Sequence, residues 1–294
     1  MQICACSKIN LYLAVTGKRP NGYHELDTLF YPLSSPADEL ELALAESLPP
    51  GTIEIHCSTR GVPSDPEKNL CGRAALLYFS TAEYPQFPAL AMTITKHIPV
   101  AAGMGGGSSD AASVLRFLQS QFHLLSEERL AEVALSLGAD VPFFLNPVAS
   151  RAQGVGEILS PVPLIPRDLP IVIAAPCFPV SAVWGYRHLD YQKAVARPVQ
   201  MDELIAALQK RDLAAVASLM RNDLEDALYL KFPLLSLIRE RLTSLGALRV
   251  MVSGSGPTLF ALFPDDESAD SAVRLSACSP METCGVQLIR GLAR

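Results

Sequence analysis

The chain has 294 residues, 49% hydrophobic and 18% charged, with 24 basic against 30 acidic side chains and a net charge of −6. That length supports one large or two medium domains with a sizeable core, and no cluster of five basic residues gives it the footprint of a nucleic-acid or lipid-surface binder. No uncharged apolar run reaches about 18 residues, so no membrane-spanning helix is expected, and no basic segment precedes an apolar one at the N-terminus, so no signal peptide is read. Seven cysteines stand at Cys4, Cys6, Cys57, Cys71, Cys177, Cys278 and Cys284, without a Cys-x-x-Cys pair. They read as free thiols in a reducing cytoplasm, with Cys4 and Cys6 buried in an alternating apolar run.

Residues 2–57 read as β structure over Gln2–Cys6, Ile9–Val15, Leu26–Leu33, Leu40–Leu44 and Thr52–Cys57, broken by Gly, Pro and Asp turns. Lys8 and Asn10 stand among apolar strand residues, which suits either a water-facing strand edge or a lysine directed into a cleft. Asn21-Gly22 is a turn signal, and Tyr23-His24 then puts two rings at a strand mouth. Asn69 is a natural N-cap for the helical stripe that follows, compatible with a polar contact to a ligand. Leu90–Ile98 reads as a strand with Lys96-His97 at its end.

The stretch Pro99-Val-Ala-Ala-Gly-Met-Gly-Gly-Gly-Ser-Ser-Asp-Ala-Ala112 joins that strand to a helix expected from about Ser108 to Gln121. Gly103, Gly105, Gly106 and Gly107 let the backbone approach a ligand and take positive φ. Successive N–H groups there form an anion-binding concavity, and the helix adds its own N–H groups and dipole. Ser108 and Ser109 supply hydroxyls for phosphate oxygens or a bound Mg²⁺. The stretch is not a Walker loop, since the one Gly-Lys pair, Gly17-Lys18, precedes Arg19. Nor is it a dinucleotide fingerprint, because Ser108 holds the place of the third glycine. A ligand-free strand-to-helix turn is the bland alternative; two serines after four glycines are more than such a turn needs.

A second helix is expected over Glu127–Leu137, with Ser126 before it and Gly138 after it. In the following Gly138-Ala-Asp-Val-Pro-Phe-Phe144, Asp140 suits a helix cap or a general base held by backbone donors. From about residue 155 the character changes. A strand is expected over Leu169–Ala175, then helices over Ser181–Leu189, Met201–Lys210, Asp212–Met220 and Pro233–Leu245. Strands Leu248–Val252 and Thr258–Phe263 flank a second glycine loop, Ser253–Pro257. A helix over Asp265–Ala277 and a strand over Val286–Leu292 complete an α+β second half.

The Pro99–Ala112 loop resembles the ATP-binding loop of the galactokinase, homoserine kinase, mevalonate kinase and phosphomevalonate kinase (GHMP) group. Ser253–Pro257 is similar to the group's third motif, which closes near the first loop. Lys8–Leu13, Asn21–Leu26, Gly138–Phe144 and Asn222–Glu225 resemble the branch whose acceptor is a cytidine diphosphate-linked methylerythritol, in the non-mevalonate route to isoprenoids. The resemblance implies an α+β, two-domain GHMP-kinase fold: an N-terminal β/α domain of the ribosomal-protein type over 1–155 and a ferredoxin-like C-terminal domain over 156–294 that completes the substrate cleft.

It also implies roles for individual residues. Asp140 is the base on the acceptor's 2-hydroxyl, and Lys8 lies beside it to stabilise the carboxylate or alkoxide and the incoming phosphate. Asn10 positions the acceptor. Tyr23 and His24 bind the cytidine end, and Tyr186 stacks on the other face of the cytosine, with Trp184 the alternative because Val180–Tyr186 departs from the family pattern. Pro99, Ala101, Gly103, Gly105, Gly106, Gly107, Ser108 and Ser109 cradle ATP, and Asn69 and Lys96 fall at the adenine pocket. Mg²⁺ would arrive with the nucleotide. The expected protein is a cytoplasmic monomer or weak homodimer acting on a small molecule, with no nucleic-acid or membrane partner. The competing readings are another kinase of the group and a catalytically silent ligand sensor; retention of Lys8, Asp140 and both glycine loops argues against the sensor.

Overall fold

A computed structural model of the chain describes residues 1–276 and 285–293. Cys278 and Cys284 lie outside the described residues. The chain forms two compact units, and the first two strands run through both.

One unit holds Met1–Ser7, Ala37–Val100 and Gly105–Pro147. Its sheet pairs the C-terminal half of β2 (His24–Leu44) antiparallel to β4 (Leu90–Thr95), which runs parallel to β3 (Ile53–His56). Leu40 and Leu42 alternate with exposed glutamates, so one face of β2 is apolar. Four helices belong to this unit: α1 (Leu70–Thr81), α2 (Gly106–Phe122), α3 (Glu127–Leu137) and α4 (Val141–Leu145). α1 packs on α2, and α2 on α4. The Asn69 side chain caps α1 at Cys71 N, and Ser126 caps α3 at Arg129 N. Phe79 stacks on Phe87 with centroids 4.4 Å apart and meets Phe122 edge-on, closing the far end of the α1–α2 pair.

The other unit holds Lys8–Pro36, Ala101–Met104 and the chain from Val148 onward. Here β2 pairs with β5 (Ser150–Gly154), itself paired with β6 (Ile158–Pro161). A further antiparallel run, β11 (Gln287–Ala293), β7 (Ile171–Ala175), β10 (Leu259–Leu262) and β9 (Arg249–Val252), carries the core. α9 (Glu225–Lys231), α10 (Pro233–Ser244) and α11 (Asp266–Ser276) bury Leu228, Leu235, Ile238, Leu242, Ala269 and Ala272 there. α5 (Ala182–His188), α6 (Tyr191–Ala196), α7 (Met201–Gln209) and α8 (Leu213–Leu219) complete the helices among the described residues. β1 (Gln2–Lys18) runs parallel to the short β8 (Arg221–Asn222), with Leu13 opposite Asn222.

The structure differs from the sequence reading in several places, and β5, β6, α6 and α9 stand where no element was expected. The first four expected strands are two long ones, β1 and β2. Leu90–Ile98 leaves the strand after Thr95, because His97 N and Ile98 N turn to the Asp38 carboxylate. Cys6 is buried as expected but Cys4 is exposed, since the opening residues of β1 precede its packed stretch.

The β1–β8 pairing is fixed by a buried ion pair. Arg221 meets Asp223 through Nε at 2.6 Å and Nη2 at 2.7 Å, and its remaining donors reach the carbonyls of Ala194 and Pro198. Asp223 Oδ2 also accepts from Val15 N at 2.8 Å. Asp223→Ala leaves the guanidinium buried without its counter-charge, so urea unfolding of that variant is expected to show a loss of about 3–5 kcal/mol. Arg221→Met with Asp223→Leu recovers a large part of it. An unchanged midpoint in Asp223→Ala contradicts the buried pair.

Candidate active site

The first glycine loop takes its shape from backbone conformations open to glycine. Gly103 has φ +79°, and a Cβ there would lie 2.3 Å from the Ser253 carbonyl oxygen. Gly105, φ 74°, is the N-cap of α2. Ala101 accepts the left-handed region as well, at φ 54°. In the first turn of α2, Ser108 is half-buried, whereas Ser109 is buried and its N–H donates to Gly105 O. Gly107 is the exposed residue of that turn.

The second glycine loop backs Ala101–Met104. Ser253 Oγ donates to Gly103 O at 3.0 Å, and Thr258 N donates to Ala102 O at 3.4 Å. Asn222 holds this loop from behind, its Nδ2 donating to both Val252 O and Gly254 O at 2.8 Å. Glu225 accepts from Val252 N at 3.0 Å and from the Tyr229 hydroxyl at 2.9 Å; burial raises its carboxyl above the ordinary range.

Lys8 and Asn10 share one face of β1, since alternate strand residues point the same way. Lys8 is 4% exposed, so the water-facing reading fails. Its N–H donates to Met104 O at 3.0 Å and its Nζ to Asn10 Oδ1 at 2.7 Å, with Nζ 4.8 Å from the Phe30 ring centre. Asn10 Nδ2 donates to Thr28 Oγ1, which donates to Tyr12 O. A Cβ on Gly254 would come 3.1 Å from Asn10 Oδ1 and 3.8 Å from Lys8 Nζ. The structure thus gathers Lys8, Asn10, Ala102–Met104 and the second glycine loop in one polar cluster; no hydrogen bond among the described residues joins Ala101 to it.

His24 and Tyr186 also meet. Their rings stack with centroids 5.3 Å apart and planes 18° from parallel, and Tyr191 tilts against His24 at 6.2 Å. Trp184 is engaged elsewhere, stacked on His188 at 4.3 Å and edge-on to Phe232. Tyr23 is 64% exposed on the turn that Asn21 and Arg19 close.

In the unit that contains α1–α4, Asp140 stands at the N-cap of α4 with Pro142 in the first turn, but its side chain makes no capping bond. The cap reading therefore does not account for the carboxylate. Asn69 is buried, capping α1 and donating to Pro63 O at 2.7 Å. Lys96 is buried between two carboxylates, Asp38 and, at 2.6 Å, Asp110. Burial alone would lower the Lys96 pKa, but the two carboxylates outweigh it and hold the ammonium above its ordinary range. Burial raises the Asp110 carboxyl to about 7 against the pull of Lys96, and its Oδ1 has no hydrogen-bond partner. Sequence reasoning missed Asp38 and Asp110. The signal for Asp38 was present: it shares its parity in β2 with the inward Leu40 and Leu42.

Among the described residues no group of three His, Cys, Asp or Glu side chains is placed to hold a metal, and no helix is long and apolar enough to cross a membrane.

Residues 69–146 match the family described as GHMP kinases N terminal domain, and residues 204–276 match GHMP kinases C terminal. The chain is 40% identical over 272 residues to the 4-diphosphocytidyl-2-C-methyl-D-erythritol kinase of Solidesulfovibrio magneticus, covering 91% of this chain and 90% of that one. It is 39% identical to the protein of the same name in Geobacter sulfurreducens, covering 92% of each. A crystal structure of 4-(cytidine 5'-diphospho)-2C-methyl-D-erythritol kinase superposes over the whole of both chains with a TM-score of 0.82 and 33% identity. Homoserine kinase from Cytophaga hutchinsonii, 19% identical, superposes over 100% of this chain and 94% of its own with a TM-score of 0.75, a likeness of fold.

Burial first, and then the charge of Lys18, lowers the His24 pKa below its ordinary 6.5. The unfolded chain therefore takes up this proton at a higher pH than the folded one, so this contribution to stability is full above about pH 6.5 and is lost as pH falls below it. An NMR titration is expected to place the His24 midpoint below 6.5, and Lys18→Gln to move it upward. A midpoint at or above the ordinary value contradicts a neutral, stacked imidazole.

Proposed function

The chain belongs to the 4-diphosphocytidyl-2-C-methyl-D-erythritol kinase family of the GHMP kinases, and we propose that it transfers the γ-phosphoryl group of ATP to the 2-hydroxyl of 4-diphosphocytidyl-2-C-methyl-D-erythritol, a step of the non-mevalonate route to isoprenoid precursors. The observation that carries this reading is the polar cluster in which Gly103, fixed by the second glycine loop, lies against the same elements that fix Lys8 and Asn10.

Phosphoryl transfer needs positioning and charge stabilisation more than covalent chemistry. The backbone of residues 103–107 and the start of α2 receive the phosphates, with Pro99 and Ala101 shaping the entry and Ser109 closing the turn from inside. What suits this stretch to a polyphosphate is its donor set, the backbone N–H groups at the start of α2 with the half-buried Ser108 hydroxyl beside them; glycine at 103 is required by the close approach of the Ser253 carbonyl. Mg²⁺ on the nucleotide supplies neutralisation of phosphate charge, and Ser108 is the hydroxyl through which this chain would hold it. Asp140 accepts the acceptor proton. An alcohol is far too weak an acid to ionise beforehand, so the proton leaves in concert with transfer. Lys8 stabilises the charge that builds on the oxygens, Asn10 orients Lys8 and the acceptor, and Tyr23, His24 and Tyr186 take the cytidine end. The paired rings of His24 and Tyr186 favour Tyr186 over Trp184 in that role. Asn69 and Lys96, engaged within the chain, serve the nucleotide site by shaping it.

A functional division at residue 155 is supported by the family matches, which fall on either side of it. The reading takes the protein as a cytoplasmic monomer or weak homodimer acting on a small molecule without nucleic acid or membrane; a buried free thiol at Cys71 suits a reducing compartment.

The test is ADP release with ATP and Mg²⁺, offering the cytidine compound, homoserine and phosphomevalonate in parallel. Turnover is expected with the cytidine compound alone; turnover with another alcohol moves the chain to a different branch of the group, and silence in protein that binds ATP favours the ligand sensor. Asp140→Asn is expected to lose at least about a hundredfold in kcat with ATP affinity nearly intact. Turnover of that variant near the parent's removes Asp140 from the role of base.

A further inference from the structure

Asp38 is fully buried in β2, and one carboxylate there touches both ends of the first glycine loop. At the entering end, Oδ1 accepts from His97 N at 2.6 Å and from Ile98 N at 2.8 Å. At the leaving end, Oδ2 accepts from Lys96 Nζ, which also donates to Asp110 Oδ2 in the opening turns of α2 at 2.6 Å. The same Oδ2 lies 3.3 Å from where a Cβ on Gly106 would be, so the first residue of α2 rests on it directly. Lys96 is 6% exposed in its side chain and has two carboxylates for partners. An ammonium so enclosed is poorly placed to read a base, and its charge is spent on the two acids.

We propose that Asp38 is a positioning residue for the nucleotide phosphates: with Lys96 and Asp110 it sets the distance between the end of β4 and the start of α2, and so the shape of the loop strung between them. Lys96 then acts on ATP through the loop and not through adenine. The proposal rests on the reading of this loop as the ATP site.

Asp38→Asn separates the two links. An amide oxygen can accept from the backbone N–H groups or from Lys96, but its NH₂ then faces a donor. The variant leaves a neutral Lys96–Asp110 pair, so the fold is spared the unpaired buried charges that Lys96→Met creates.

The experiment measures ATP binding by calorimetry without acceptor, then the KM for ATP, GTP and acceptor, in the parent, Asp38→Asn and Lys96→Met, with a melting curve for each. Asp38→Asn is expected to weaken ATP binding and raise its KM by about tenfold to a hundredfold, as displaced positioning groups do. The ATP-to-GTP preference and the acceptor KM stay within about twofold of the parent. Lys96→Met lowers use of ATP and GTP alike, and where it fails to fold, Asp38→Asn carries the test. Unchanged ATP binding and KM in Asp38→Asn, whatever its melting temperature, overturn the proposal by leaving Asp38 a merely structural acid. Loss of the ATP-to-GTP preference in Lys96→Met overturns it by making Lys96 a reader of the base. Calorimetry needs no acceptor, so a parent that binds ATP but phosphorylates none of the offered alcohols refutes the assigned acceptor and leaves this test standing. A parent that binds no ATP refutes both.

Discussion

A cradle made of backbone N–H groups has no side chains of its own with which to keep its shape, so its geometry must be imposed from outside. Gly103 shows how. Its left-handed φ and the lack of room for a Cβ are both set by the second glycine loop, which presses the Ser253 carbonyl and hydroxyl onto it. That loop is no stiffer, and it is gripped in turn by the Asn222 amide. Asn222 sits on β8, whose pairing partner is β1, the strand that carries Lys8 and Asn10. Gly254 closes the circuit by packing on the Asn10 amide. Two glycine loops and a lysine far apart in the chain therefore share one register, set where Leu13 lies opposite Asn222.

Beside this circuit, Arg221 and Asp223 are buried as a pair. An isolated ion in such surroundings would be costly, and even a paired one contributes little net stability. Arg221 spends its donors on Asp223 and on carbonyls at the end of α6, and Asp223 spends an oxygen on Val15 N. Asp27 is matched in both oxygens by Arg151. These pairs fix which strand lies against which more than how firmly, a distinction that matters where β1 carries the Lys8 ammonium. Lys8 itself is steadied by a neutral amide, Asn10, and not by a carboxylate on its own strand.

Much of this was legible in the sequence, and the failures share a cause. Glu127–Leu137 was readable to the residue because its signals are local: Ser126 before it, acids in its first turn and Gly138 after it. The α2 helix begins at Gly106, two residues before the expected Ser108, because the chain turns helical inside the glycine run, where local propensity gives no warning. The run Ser34-Ser35-Pro36-Ala37-Asp38 looks like a turn, yet it lies inside β2, and Asp38 is polar because Lys96, 58 residues on, needs a counter-charge. Asn222 and Ser253 belonged to stretches that stood out by resemblance, but their tasks depend on partners 30 and 150 residues away. Local patterning reports helices and strands; it is silent about which buried polar group answers which.

The choice between Trp184 and Tyr186 shows the same divide on a smaller scale. By ring size alone an indole is the better stacking surface. α5 separates the two rings through its period. Residues four apart share a face, so Trp184 meets His188, whose Nδ1 lies 2.9 Å from the Trp184 carbonyl oxygen, and the Trp184 ring also meets Phe232 edge-on. Tyr186, two residues on, projects from a different side of the helix, and there it finds His24. A homoserine kinase shares this fold at 19% identity, so the backbone does not by itself name the acceptor. What distinguishes one acceptor from another must lie in a few side chains, and here the phase of one two-turn helix selects which aromatic ring stands beside His24.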